Sequence, residues 1–160
     1  MIEHEAKPHI SSARPRMTAT VMGETDLDET VLRELVHRFY DKVRTDPLLG
    51  PIFDARISDW DRHLARMVDF WSSVALMTGR YHGQPVPAHA PLPVDASHFD
   101  RWLYLFRETA REVSTPAGAN HLIERAERIA RSLHLAVELG KALPGAAPSF
   151  PPPLKGGCDA

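Results

Sequence analysis

Residues 79–106 read Gly79-Arg80-Tyr81-His82-Gly83-Gln84-Pro85-Val86-Pro87-Ala88-His89-Ala90-Pro91-Leu92-Pro93-Val94-Asp95-Ala96-Ser97-His98-Phe99-Asp100-Arg101-Trp102-Leu103-Tyr104-Leu105-Phe106. Pro85, Pro87, Pro91 and Pro93 surround one histidine, His89. Proline fixes its own φ, lacks an N–H donor and pushes the preceding residue out of the α region. His89 therefore sits on one short turn at most, on a stiff backbone, between two amphipathic helical patterns. Such a loop suits a metal or cofactor ligand. On this stretch alone a surface loop with a solvated histidine is the default reading, and the flanking chain has to decide between them.

Upstream, Leu32, Leu35, Val36, Phe39, Tyr40 and Val43 recur at the spacing of one helical face, which predicts a helix from about Asp28 to Thr45. Asp26 followed by Glu29 reads as its capping box. Asp46 to Phe53 is an apolar corner punctuated by Pro47, Gly50 and Pro51, with Phe53 turned inward. A second helix is expected from Ser58 to a stop at Gly79. Its inward side carries Trp60, His63, Leu64, Met67, Phe70, Trp71 and Val74. His63, Met67 and Phe70 lie four and seven residues apart, so they face one way. A histidine in such a stripe is ordinarily a satisfied core residue, although these neighbours also suit a cofactor pocket.

Downstream, Phe99, Trp102, Leu103, Phe106, Ala110 and Val113 mark a third helix from Asp95–Ser97 to Ser114. Thr115 and Pro116 then open a fourth, running from about Ala119 to Leu139 with Gly140 as its stop. No window alternates as a strand does. The chain is expected to be all-α, with a mobile extension over residues 1–25, a folded domain over 26–142, and a flexible Pro/Gly-rich tail over 143–160.

Composition narrows the partners. The 160 residues carry a formal charge of −2 and no basic run, which argues against nucleic acid. No window approaches a membrane span, and the N-terminus lacks the apolar core of a signal peptide. Cys158 is the single cysteine, so no intrachain disulfide forms, and a reducing cytoplasmic location is expected.

Phe39-Tyr40-Asp41-Lys42-Val43-Arg44, Gly50-Pro51-Ile52-Phe53, Trp60-Asp61-Arg62-His63, Phe70-Trp71, Gly83-Gln84-Pro85 leading to His89, and His98-Phe99-Asp100-Arg101-Trp102 occur in that order. Together these fragments resemble the truncated haemoglobins, most closely their group III, over residues 27–140. A pair of glycine-rich motifs common in other truncated globin groups is absent, in agreement with group III. The resemblance implies a two-over-two helical sandwich around haem b. His89 would be the metal ligand on the proximal side. Tyr40, His63 and Trp102 would form the polar distal set that acts on the ligand. Phe53, Met67, Phe70 and Phe99 would wall the cofactor, with Arg66 and Tyr81 near its propionates.

The resemblance further implies reversible binding of O2, NO and CO. Tyr40 O–H and Trp102 N–H are donors kept at neutral pH. A hydrogen bond to a charged acceptor contributes about 1.5–3 kcal/mol, so two such donors slow O2 release and disfavour bulk transport. Sensing, or NO dioxygenase or peroxidase-like chemistry on NO or peroxide, is the expected role, with an unidentified reductase as partner and a monomer or weak dimer as the assembly. His63 would gate, donate a proton or ligate the iron. The alternatives are a cofactor-free helical interaction module, which leaves Tyr40, His63 and Trp102 unexplained, and a di-iron bundle. The latter needs repeated Glu-x-x-His pairs, of which only Glu34/His37 is present.

Overall fold

A computed structural model of the chain describes residues 10–83 and 92–142. His89 and most of its proline segment fall outside the described residues, as does the expected tail over 143–160. Among the described residues there are six helices and no strand: α1 Pro15–Thr25, α2 Glu29–Thr45, α3 Gly50–Arg56, α4 Trp60–Leu76, α5 Ala96–Val113 and α6 Pro116–Ala142.

Helix α2 buries the six residues its spacing singles out, Leu32, Leu35, Val36, Phe39, Tyr40 and Val43. Its cap differs from the expected Asp26/Glu29 pair. Asp28 is the N-cap, its carboxylate accepting from the Val31 N–H at 2.8 Å. Asp26 instead closes α1 in the left-handed region at φ 57°, where its N–H donates to the Met22 carbonyl. Aspartate tolerates that conformation better than most residues. Helix α4 begins one turn past Ile57 with Asp59, not Ser58, as cap, accepting from the Arg62 N–H at 3.1 Å. It stops at Met77, also left-handed, two residues before the expected Gly79.

The apolar corner after α2 coils into α3. Gly50 is required there, because a Cβ at that position would come within 2.8 Å of the Arg44 carbonyl oxygen. Helix α6 runs from Pro116 through Gly140 to Ala142, past its expected stop. Glycine is permissive and does not by itself end a helix.

The N-terminal extension holds a packed helix where the sequence suggested none. Thr18 Oγ of α1 donates to the Leu76 carbonyl at 2.6 Å, and the Ala13 N–H donates to the Thr78 carbonyl at 2.9 Å. The buried residues of α1 are Thr18 and Thr25, and Val21 and Met22 pack half-buried against the core, so its inward face mixes hydroxyls with two adjacent apolar residues and gives no helical stripe to read.

Helix α2 packs on α4 and α5, α5 packs on α6, and α4 reaches α6. The result is one pair, α2 and α4, laid over a second, α5 and α6. Phe39 lies at the crossing, edge-on to Trp102 at 5.4 Å and to Phe106 at 5.5 Å. Phe106 is sandwiched between Trp71 at 4.7 Å and Trp102 at 5.4 Å. Fully burying a ring such as Phe39 or Phe106 is worth about 1.5–3 kcal/mol. These rings hold the two layers together on one side of the space the layers enclose. No described helix is long and apolar enough to cross a membrane.

Candidate functional site

Between the layers lies a cavity of about 770 Å³, its open mouth included. Helix α2 contributes Tyr40, the corner and α3 contribute Leu49, Ile52 and Phe53, and α4 contributes Met67, Phe70 and Trp71. Leu92 and Val94 lead into α5, which adds His98, Phe99 and Trp102; α6 closes the wall with Ile129, Ala130 and Leu133. The lining is thus apolar and aromatic, with a few polar side-chain atoms on Tyr40, Trp71, His98 and Trp102. That is the usual make-up of a site for a large, mostly apolar small molecule.

Six residues singled out from the sequence meet on this wall: Tyr40, Phe53, Met67, Phe70, Phe99 and Trp102. Tyr40 is buried and ringed by aromatics, with Phe39 at 5.1 Å, Phe53 at 5.9 Å, Trp60 at 6.0 Å and His63 at 5.0 Å, all edge-on. Trp102 reaches the same wall from α5 and meets Phe39 of α2 edge-on at 5.4 Å. His63 is 1% exposed and is not among the lining residues; its ring packs against Tyr40 and, at 5.7 Å, against Trp60.

Arg66 and Tyr81 stand apart from the cavity, at a more polar recess shared with Asp69, Arg80, His82 and Gly83. The Arg66 guanidinium lies 5.5 Å from the Tyr81 ring, and Tyr81 meets the cavity-lining Phe70 edge-on at 5.1 Å. The recess and the cavity therefore share the Phe70–Tyr81 contact. Glu34, which a di-iron bundle would turn inward, is paired with Arg38 at 2.7 Å on the exposed face of α2.

Two carboxylates fix the elements around the mouth. Asp46 is buried and accepts from the Leu48 and Leu49 N–H groups and, at 2.7 Å, from Arg101 Nε of α5. Burial pushes its pKa up, but the Arg101 hydrogen bond and charge, with the two backbone donors, outweigh that and hold it below the usual carboxylate value. Asp95 caps α5, and its carboxyl is held down at about 2, chiefly by the Ser97 hydroxyl and then by His98.

His98 stands on α5 beside two charged residues, Asp100 and Arg101. Yet its side chain is 16% exposed and lies on the cavity wall, because the capping box folds its Nδ1 back onto the Asp95 N–H. Leu92 and Val94 went unnoticed, although apolar residues beside Pro91 and Pro93 were the available signal.

A family model described as bacterial-like globin matches residues 24–135. The chain is 36% identical over 109 residues to the group 3 truncated hemoglobin ctb of Campylobacter jejuni, covering 65% of this chain and 86% of that protein. It is 27% identical over 89 residues to the group 2 truncated hemoglobin YjbI of Bacillus subtilis, covering 54% and 67% respectively. The crystal structure of the group III truncated hemoglobin from Campylobacter jejuni superposes with a TM-score of 0.65 at 35% identity, over 69% of this chain and 91% of that one.

Proposed function

This chain belongs to the bacterial-like globin family, within the group III truncated haemoglobins, and from that membership we propose that it holds haem b and binds O2, NO and CO reversibly, releasing O2 slowly. The observation that carries the proposal is the cavity between the two helix pairs, apolar throughout except for Tyr40, Trp71, His98 and Trp102.

The residues present fit a flat, mostly apolar macrocycle with an anionic edge. Phe53, Met67, Phe70 and Phe99 offer apolar and aromatic surface. Arg66 stands at the adjoining recess, where a carboxylate at the edge of the macrocycle would find a cationic partner, while Arg80 beside it is already bonded to Glu29 at 3.1 Å. Haem, when bound, supplies an iron at which diatomic gases coordinate and which changes redox state. His89 is proposed as its ligand on the family resemblance.

The work of this chain's own residues follows from their placement. Tyr40 O–H from α2 and Trp102 N–H from α5 can donate to a gas ligand from two directions. His63, packed edge-on against Tyr40 at 5.0 Å, is placed to hold that ring. The apolar lining keeps competing water away, which strengthens any hydrogen bond made inside. Slow release makes a poor carrier, so chemistry on NO or peroxide, or sensing, is the proposed use, with a reductase to restore the ferrous state.

Stopped-flow O2 dissociation tests this. Tyr40→Phe and Trp102→Phe should each raise the rate by about tenfold or more, the equivalent of about 1.5–3 kcal/mol per bond to a charged acceptor. The double variant should depart from the product of the singles, because the donors share one acceptor. Rates equal to the parent in all three would leave the polar wall idle and remove the case for retention.

A further inference from the structure

Behind Tyr40 and His63 the structure places two residues, Trp60 and Arg44, that no role has yet absorbed. Arg44, exposed in the last turn of α2, holds its guanidinium 4.3 Å from the centre of the Trp60 ring. Trp60, half-buried at the first position of α4, meets His63 at 5.7 Å and Tyr40 at 6.0 Å, edge-on to both. His63 in turn meets Tyr40 at 5.0 Å with the rings at 89°. The three rings form a closed triangle, with only Tyr40 on the cavity wall and only Trp60 reaching the surface.

We propose that Trp60, held in place by Arg44, is a positioning residue that fixes the orientation of Tyr40 and His63 and so sets the strength of the hydrogen bond offered to a bound gas. The physical case lies in how each ring is confined. Tyr40 is fenced on its other sides by Phe39 and Phe53, which belong to the packed layers. His63 is buried, and Tyr40 and Trp60 are two of the rings packed against it. Trp60 is the member of the fence held by an exposed side chain, Arg44. A cation over an indole face is attracted by the ring quadrupole, and edge-to-face rings prefer this spacing, so the Arg44–Trp60–His63–Tyr40 series resists rotation at every link. Arg44 and Trp60 come from the end of one helix and the start of another, so the contact also ties α2 to α4 across the α3 corner.

The inference rests on the gas-binding proposal above, and its test separates the two. The haem-loaded protein would be saturated with carbon monoxide and the C–O stretch recorded for the parent, Trp60→Ala, Trp60→Phe, Arg44→Met and Arg44→Lys. A protein that takes up no haem contradicts the gas-binding proposal and not the positioning role alone. With haem bound, Trp60→Ala should broaden or split the parent band toward higher frequency, as Tyr40 leaves its single orientation. It should also raise the O2 dissociation rate by about two- to tenfold, the factor to which one aromatic pair's contribution converts. Trp60→Phe should restore most of the parent band, and Arg44→Met should shift it in the direction of Trp60→Ala while Arg44→Lys does not. If Trp60→Ala fails to fold, Arg44→Met decides, because Arg44 is exposed and its loss leaves the core intact. A C–O band and a dissociation rate unchanged in Arg44→Met and in every folded Trp60 variant overturn the proposal.

Discussion

At the scale of single residues, the site divides by how its members announce themselves. Tyr40, Met67, Phe70, Phe99 and Trp102 lie on helical faces whose spacing already turns them inward, and all five line the cavity. His63 shares the face of Met67, yet sits against Tyr40 rather than on the wall, a distinction that a 3.6-residue period is too coarse to make. His98 carries no such signal, because its charged neighbours say nothing about a ring drawn back by its own cap. Arg66 carries a residue-scale prediction. Its guanidinium lies against Tyr81 at the recess beside the cavity. Arg66→Ala should therefore speed haem loss severalfold, measured by transfer to an excess of a haem-free globin acceptor, and a rate equal to the parent would return Arg66 to a surface role.

At the scale of elements, the corner between α2 and α4 is the part most dependent on a few polar groups. Asp46 joins that corner to α5 through Arg101, and its folded pKa is depressed. A depressed carboxyl contributes stability in full above its unfolded pKa, near 3.9, and loses it as pH falls through the lower folded value. Asp46→Asn should therefore cost about 1–3 kcal/mol at neutral pH, since it weakens a charge-assisted bond. Denaturant unfolding should show the gap to the parent narrowing below about pH 4; a gap that stays constant with pH would show that the Arg101 pair contributes nothing. Gly50→Ala would press a methyl group to within 2.8 Å of the Arg44 carbonyl, and should lower the melting temperature through strain in α3. The apolar character of this corner was legible in Leu48, Leu49, Ile52 and Phe53, but its helix was not, because seven residues opened by Gly-Pro give no period to count. Helix α1 was illegible for a different reason: Thr18 docks it through a hydroxyl, and its apolar core contacts come from the adjacent pair Val21 and Met22. Helices α2, α4, α5 and α6 were legible because each buries a continuous stripe.

At the scale of the whole molecule, two helix pairs enclose a cavity whose walls come from α2, α3, α4, α5 and α6, so no one element forms the site. A ligand that contacts all of them should bind the folded chain far better than the unfolded one and stabilise it by mass action. The most direct measurement is a titration of the haem-free protein with haem, followed by absorption, on the parent and on His89→Gly. A Soret band that saturates at one haem per chain in the parent is the expected result. In His89→Gly that band should be lost or altered, returning toward the parent when imidazole is added. A parent that develops no Soret band on titration would contradict the central claim that this cavity holds haem.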